Sequence, residues 1–367
     1  MGAITATLDR SAGGARRGLN AFGRACLAAA RSHRLYLAII VLYALACVAT
    51  GRIAGASEVV AIRAYAGPFL ILIAVFAVAF ALGHALWTAV AVRPKGSLIG
   101  AIGRDLRARI LTAPRIAGFL VASALAPLFF STFGSFKRLI PVLEPFAWDP
   151  AFASLDRWLH GGVDPWRLLQ PVLGTPAVTS AVSFAYNLWF FVLFFTFIWQ
   201  VMSLKRPQLR MQFLLAFLLC WIVLGTVLAT VLSSAGPVYY GRITGLADPF
   251  APLMHYLYAV HEQAPVWALS VQERLWTTYQ AGGIDFGSGI SAMPSLHVAT
   301  STLFALLGWR VNRLAGIAYT AFAVVILVGS VHLGWHYAID GYLAAVLVAA
   351  LWYGTGWALR RRARTGS

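Results

Sequence analysis

The stretch SAMPSLHVATSTLFALLGW, residues 291–309, opens like a polar turn and closes like a membrane helix. Ser295 and His297 stand where the apolar run begins, on what the pattern makes the first turn. Proline suits a helix start, where a missing N–H costs little, so Pro294 is expected in that turn with the amides near Ser295 and Leu296 left free. Free first-turn amides make a helix N-terminus an anion site. At about 1.5 Å of rise per residue, His297 is expected one turn below the helix start, near the membrane surface and within reach of a headgroup phosphate.

The rest of the chain decides what kind of helix this is. Of its 367 residues 60% are hydrophobic and 11% charged, a balance that excludes a soluble domain with a polar surface. Apolar runs of near-spanning length fall at 35–50, 68–92, 116–133, 179–203, 212–233, 293–309, 315–333 and 340–357. The expected fold is therefore an all-α membrane protein with about eight transmembrane helices. The first run, followed by many more, reads as an uncleaved anchor. Cys26, Cys47 and Cys220 imply neither a disulfide framework nor a cysteine-rich metal site.

The net charge of +17 comes from 29 Lys and Arg against 12 Asp and Glu, and the excess sits in short runs between apolar stretches. That pattern suits anionic lipid headgroups and excludes nucleic acid as the partner. The basic runs, namely the N-terminal tail, 95–115, 205–210, Arg310 with Arg313, and 360–364, all fall on one side. By the positive-inside rule that side is the cytoplasm, which places both termini there in a multi-pass cell-membrane protein. Loops 51–67, 134–178, 234–292 and 334–339 then face outward. Two of them, DPAFASLDRWLHGGVDPWRLLQ and APLMHYLYAVHEQAPVWALSVQERLW, mix aromatic, apolar and charged residues at helical spacing and are expected to form interfacial helices. The expected division is a basic tail at 1–34, two accessory helices with a basic segment at 35–115, a six-helix catalytic core at 116–357 and a basic tail at 358–367.

A second polar cluster, GSVHLGWHYAIDGYLAA, carries His332, His336 and Asp340 four residues apart. In a helix, that spacing puts His336 and Asp340 on one face. A carboxylate that accepts from one ring nitrogen fixes the tautomer and leaves the other nitrogen free as a nucleophile. The sixth helix runs inward from His297 and the seventh returns to His336, so both histidines are expected at similar depth on the outer side. His332 reads as a packing or substrate-lining residue. His84, Asn187 and Gln200 lie inside spans and are expected to bond neighbouring helices.

PSLH followed, after a helical hairpin, by HYAID resembles the type 2 phosphatidic acid phosphatase superfamily, whose members carry Pro-Ser-Gly-His and His-x-x-x-Asp. The form AMPSLHVA, with Leu296 in place of glycine, looks most like the branch of inositol phosphorylceramide synthases, enzymes of sphingolipid metabolism. The resemblance covers about residues 116–357, with its specific motifs within 290–345. It implies that His336 attacks phosphorus to give a phosphohistidine, that Asp340 orients it, and that His297 protonates the leaving group. It also implies that Ser295 and nearby amides hold the phosphoryl oxygens, with no metal or other cofactor. A zinc site on His332, His336 and Asp340 is set aside because the resemblance uses two of those three without metal.

Two departures qualify the resemblance. The Lys and Arg-Pro motif of the family's phosphatases is missing, and their Ser-Arg before the second histidine is Gly329-Ser330 here. The lost cationic contacts are expected from Arg242, in SSAGPVYYGRITG, and next from Lys137 and Arg138, in FGSFKRLIP. The resulting expectation is a lipid headgroup phosphotransferase of inositolphosphotransferase type, with its active site facing outward. It takes a phospholipid or lipid-phosphate donor and a lipid or small-alcohol acceptor. The alternative is a lipid or polyprenyl phosphate phosphatase. A transporter fits less well, because apart from His84 and the end-placed site residues the spans lack ionisable groups.

Overall fold

The computed structural model describes residues 18–285, 287 and 289–365, so residues 1–17 of the basic tail and 366–367 of the C-terminal tail lie outside the described residues. Seven segments are long and apolar enough to cross a membrane. They are α1 (Arg34–Ile53), α2 (Ala66–Val92), α3 (Ala113–Leu143), α6 (Pro176–Met202), α7 (Pro207–Val231), α11 (Arg313–His332) and the stretch Ala338–Arg362 of α12 (Ala338–Thr365). Shorter helices join them, among them α4 (Asp149–Leu159), α5 (Pro165–Leu173), α8 (Ala251–His261) and α9 (Trp267–Gln280). Among the described residues there is no strand. The chain is an all-α membrane protein, and the two long loops hold the expected surface helices.

The eighth expected span is α10 (Leu296–Val311), which has only 16 residues. At about 1.5 Å per residue it is about 24 Å long, short of the roughly 30 Å of a hydrocarbon core. Its shortness is all at one end. The Trp189 indole N–H donates to Thr300 Oγ1 at 2.8 Å, so a point 13 residues into α6 faces one four residues into α10. The nine-residue difference means that α10 begins about 13 Å deeper than α6. The first turn of α10, with His297, is therefore level with the middle of α6 and not with its start. Pro294 also differs from expectation. Ser295 is the N-cap, its Oγ accepting from the Val298 amide at 3.4 Å, so Pro294 precedes the helix altogether.

At its other end α10 turns back at once. Asn312 caps α11, its Oδ1 accepting from the Ala315 amide at 2.8 Å, and the two helices form a tight hairpin. The basic segments meet at this end of the molecule. Arg115 donates to the Met202 carbonyl at 2.9 Å, Arg210 to the Ser203 carbonyl at 3.0 Å, and Arg206 to the Arg310 carbonyl.

The core is aromatic. Trp221 of α7 meets Phe133 edge-on at 4.6 Å and Phe130 at 5.5 Å, and Phe197 packs on Phe217 at 5.4 Å. In lipid such close packing, rather than expulsion of water, holds helices together. Helix α1 shares this core: Tyr43 stacks on Phe136 at 5.1 Å and bonds Thr226 Oγ1 at 2.6 Å, and Tyr36 donates to the Ala122 carbonyl at 3.2 Å. Helix α2 is different, since over Ala66–Trp87 Phe69 is its one buried side chain.

Candidate active site

The site is built where two helix starts meet the loop that follows α11. That helix ends at His332 with Leu333 as its C-cap, and Gly334, at φ +72°, reverses the chain so that the amides of Trp335 and His336 both donate to the Ser330 carbonyl, at 2.9 and 3.1 Å. His336 is thereby held just ahead of α12, whose first turn carries Asp340. Asp340 Oδ2 lies 3.2 Å from His336 Nδ1 and also accepts from the Tyr337 amide at 3.1 Å. With Nδ1 carrying the proton toward this buried carboxylate, Nε2 keeps its lone pair.

His297, in the first turn of α10, faces this ring. The two imidazole centroids are 6.0 Å apart, and His297 is seated between Tyr186 at 4.8 Å and Trp189 at 4.1 Å. Both histidines line a cavity of about 300 Å³, together with Lys137, Arg274 and Trp335. Among the described residues, the amides of Leu296 and His297 have no acceptor and Lys137 has no hydrogen-bond or ion-pair partner. The cavity thus holds two imidazoles, a primary ammonium and a helix start. That set suits a phosphoryl group, which asks for positive charge around its oxygens and a nucleophile in line.

Not every expected residue arrives there. Ser295 is fully buried beneath the site, where its Oγ caps α10 and its N–H donates to the Asp340 carbonyl at 3.2 Å. Arg242 does not line the cavity: it pairs with Glu273 at 3.1 Å and lies over the Trp276 ring at 5.2 Å. Arg138 turns to the Val59 carbonyl, at 2.7 Å from Nη2. His332 bonds Thr179 Oγ1 at 2.9 Å in a network with Tyr256, away from His336. Among the described residues no three His, Cys, Asp or Glu side chains gather as a metal site.

Leu296, whose place the resemblance gives to glycine, has a defined seat. A Cβ on Gly225 would lie 2.6 Å from Leu296 Cδ1 and 2.8 Å from Phe133 Cε2, so Gly225 provides the notch in α7 that the leucine fills. Gly225 lies in the π-helical stretch Cys220–Leu228.

Two carboxylates absent from the sequence reading hold the loop that carries His336. Asp149, buried at the start of α4, accepts from the amides of Ala235 and Gly236, both at 2.8 Å, and from the Tyr337 hydroxyl at 2.9 Å. Asp156, two turns on, accepts from the amides of Ala338 and Ile339 at 2.9 and 3.2 Å, capping α12 from outside. Burial raises both carboxyls above their ordinary value, against the downward pull of the amides. Gly236 completes the joint. It has φ +96°, and a Cβ there would lie 2.7 Å from the Trp335 carbonyl oxygen. The signal in the sequence is the pair Asp149 and Asp156, seven apart on one helical face whose opposite face carries Trp148, Leu155 and Trp158.

A model of the PAP2 superfamily matches residues 150–355, more than half of the chain. The chain belongs to the PAP2 superfamily. No curated protein and no solved structure matches it significantly. PAP2 membership makes it a membrane enzyme of the phosphatase and phosphotransferase type that acts on lipid phosphates. The PAP2 match takes in His297, His336, Asp340 and Asp156 but starts after Asp149 and Lys137. Of the two cationic side chains that line the cavity, Arg274 lies within the matched part and Lys137 outside it.

Proposed function

We propose that this PAP2 protein transfers a phosphoryl-bearing headgroup from a lipid to an alcohol through a phosphohistidine on His336. The observation that carries the reading is the facing pair of imidazoles, His336 anchored on Asp340 through Nδ1 and His297 6.0 Å away across one cavity. His336 Nε2 attacks phosphorus, the bond from phosphorus to the lipid oxygen breaks, and His297 gives that oxygen its proton. In the second half His297 takes the proton of the acceptor hydroxyl, the hydroxyl oxygen attacks phosphorus, and His336 leaves as neutral imidazole. Asp340 offsets the positive charge on His336 in the intermediate. Lys137 and the amides of Leu296 and His297 hold the phosphoryl oxygens, and the step needs no metal.

Transfer to an alcohol is favoured over hydrolysis by the surroundings of the cavity. Leu296 occupies the position of the phosphatase glycine, and aromatic and aliphatic side chains make up most of the wall, which limits water at the intermediate. The inositol phosphorylceramide synthase-like branch is the reading these features favour, with the site on the extracytoplasmic face and the basic end in the cytoplasm. The test uses purified protein with a radiolabelled lipid phosphate, with and without inositol, glycerol or ceramide as acceptor. A labelled transfer product that displaces free phosphate is expected. Equal release of phosphate with and without acceptors would show a phosphatase, and full turnover by folded His336→Ala protein would overturn the mechanism.

A further inference from the structure

The cavity does not end at the histidines. Beyond them its wall passes to Phe69 and Leu72 of α2, Phe130 of α3, and Phe190 and Phe194 of α6. The lining on α6 runs from Tyr186 to Phe194, eight residues or about 12 Å along the helix. Three of these rings close on one another: Phe130 and Phe194 lie 5.4 Å apart, and Phe69 meets Phe130 at 6.4 Å and Phe194 at 6.5 Å. The polar end holds the two histidines and Lys137, while this end offers only apolar contacts.

The wall on the α2 side is thin. Phe69 is the one buried side chain of Ala66–Trp87, and neighbours such as Leu70 and Ile71, both 68% exposed, face away from the bundle. A chain entering between α2 and α6 therefore comes from the surrounding membrane. Both α2 and α3 also precede the matched region 150–355, so this part of the wall lies outside the part of the chain that the family model covers.

We propose that the seam between α2, α3 and α6 binds the hydrocarbon tail of the lipid-phosphate donor, with Leu72 and Phe69 setting the chain length accepted. The proposal rests on the phosphoryl-transfer reading above and adds where the rest of the donor lies. A phosphate placed between the histidines leaves its ester chain pointing along the apolar wall. The α2 side chains are the ones at which that chain leaves the bundle for the membrane.

The test compares dihexanoyl and dipalmitoyl phosphatidic acid as donors for the full-length protein. For Leu72→Trp, the ratio of kcat/KM for the long-chain to the short-chain donor is expected to fall at least tenfold. For Leu86→Trp, on the part of α2 away from the cavity, that ratio is expected to stay within twofold. An unchanged ratio in Leu72→Trp overturns the proposal. A second measurement covers a variant that fails to fold: a dipalmitoyl phosphatidic acid bearing a diazirine in its tail is photolysed with wild-type protein and the labelled peptides are mapped. Label on the peptides holding residues 69–72 and 190–194 is expected, and label confined to other helices overturns the proposal. Loss of transfer chemistry is read separately: donor turnover that survives His336→Ala sinks the phosphohistidine reading but leaves the labelling result standing.

Discussion

At the scale of single residues, the histidine pair and Asp340 were legible because their spacing fixes their geometry. Four residues make one helical turn, and a hairpin of two helices returns the chain to the level it left. The supporting cation was not legible in the same way. Arg242 and Lys137 both sit near helix ends in the sequence, but only side-chain direction separates a cation that enters the cavity from one that pairs with Glu273. Lys137→Ala is accordingly expected to lower kcat/KM on a lipid phosphate by about 10²-fold, the usual cost of one donor to the developing charge. Arg242→Ala is expected to stay within a few-fold, because its partners are Glu273 and Trp276. Steady-state kinetics on the two purified variants checks the order, and a reversal would move phosphate binding to Arg242. Leu296→Gly should raise the share of water over alcohol as acceptor, read as the ratio of free phosphate to transfer product. An unchanged ratio would remove Leu296 from acceptor choice.

At the scale of elements, α4 is the part whose role the sequence hid. Its acidic residues lie in an amphipathic surface segment, where charges ordinarily face water, and nothing in such a segment marks which ones turn inward. The structure uses Asp149 as acceptor for the amides of Ala235 and Gly236 and Asp156 for those that follow His336, a hydrogen-bonding need that arises only once the distant loops have come together. Asp156→Asn removes an anionic acceptor from two buried amides and is expected to cost about 1.5–3 kcal/mol of stability. Its pH signature has a definite sign. Burial raises the native carboxyl above the ordinary value near 3.9, so the native state holds protons that the unfolded chain has released. Stability therefore falls as pH rises from about 3.9 through the native value. Thermal unfolding in detergent across that range should show the fall in wild type and a flatter profile in Asp156→Asn. The same slope in both proteins would discharge Asp156 from this role.

At the scale of the whole molecule, the all-helical membrane fold and the two sets of surface helices followed from hydropathy alone. The offset of α10 against its neighbours did not, because a helix's register along the bundle is set by the helices it packs on and not by its own residues. Helix α10 reads as one more span, yet its pairing with α6 through Trp189 and Thr300 starts it about 13 Å below the start of α6. The place of α1 was hidden for a related reason: an apolar helix looks the same facing lipid or protein, and Tyr36 and Tyr43 gain partners only from α3 and α7. Sidedness is testable on intact cells with a membrane-impermeant maleimide. Native Cys26, toward the basic end, is expected to remain unlabelled, while a cysteine replacing the exposed Gln280 in a Cys26→Ser background is expected to react. The opposite pattern would invert the molecule.

One small contact reaches further than its size. The Ser295 amide donates to the Asp340 carbonyl, so the start of the strand of chain bearing one imidazole is pinned to the residue that steadies the other. The pair behaves like the jaws of a gauge whose setting is fixed at the hinge pin and not along the arms. The distant bend at Asn312, where the two arms join, is then free to change. Lengthening that bend by a few residues alters the silhouette of the protein at its basic end and leaves the opening that measures a phosphoryl group as it was.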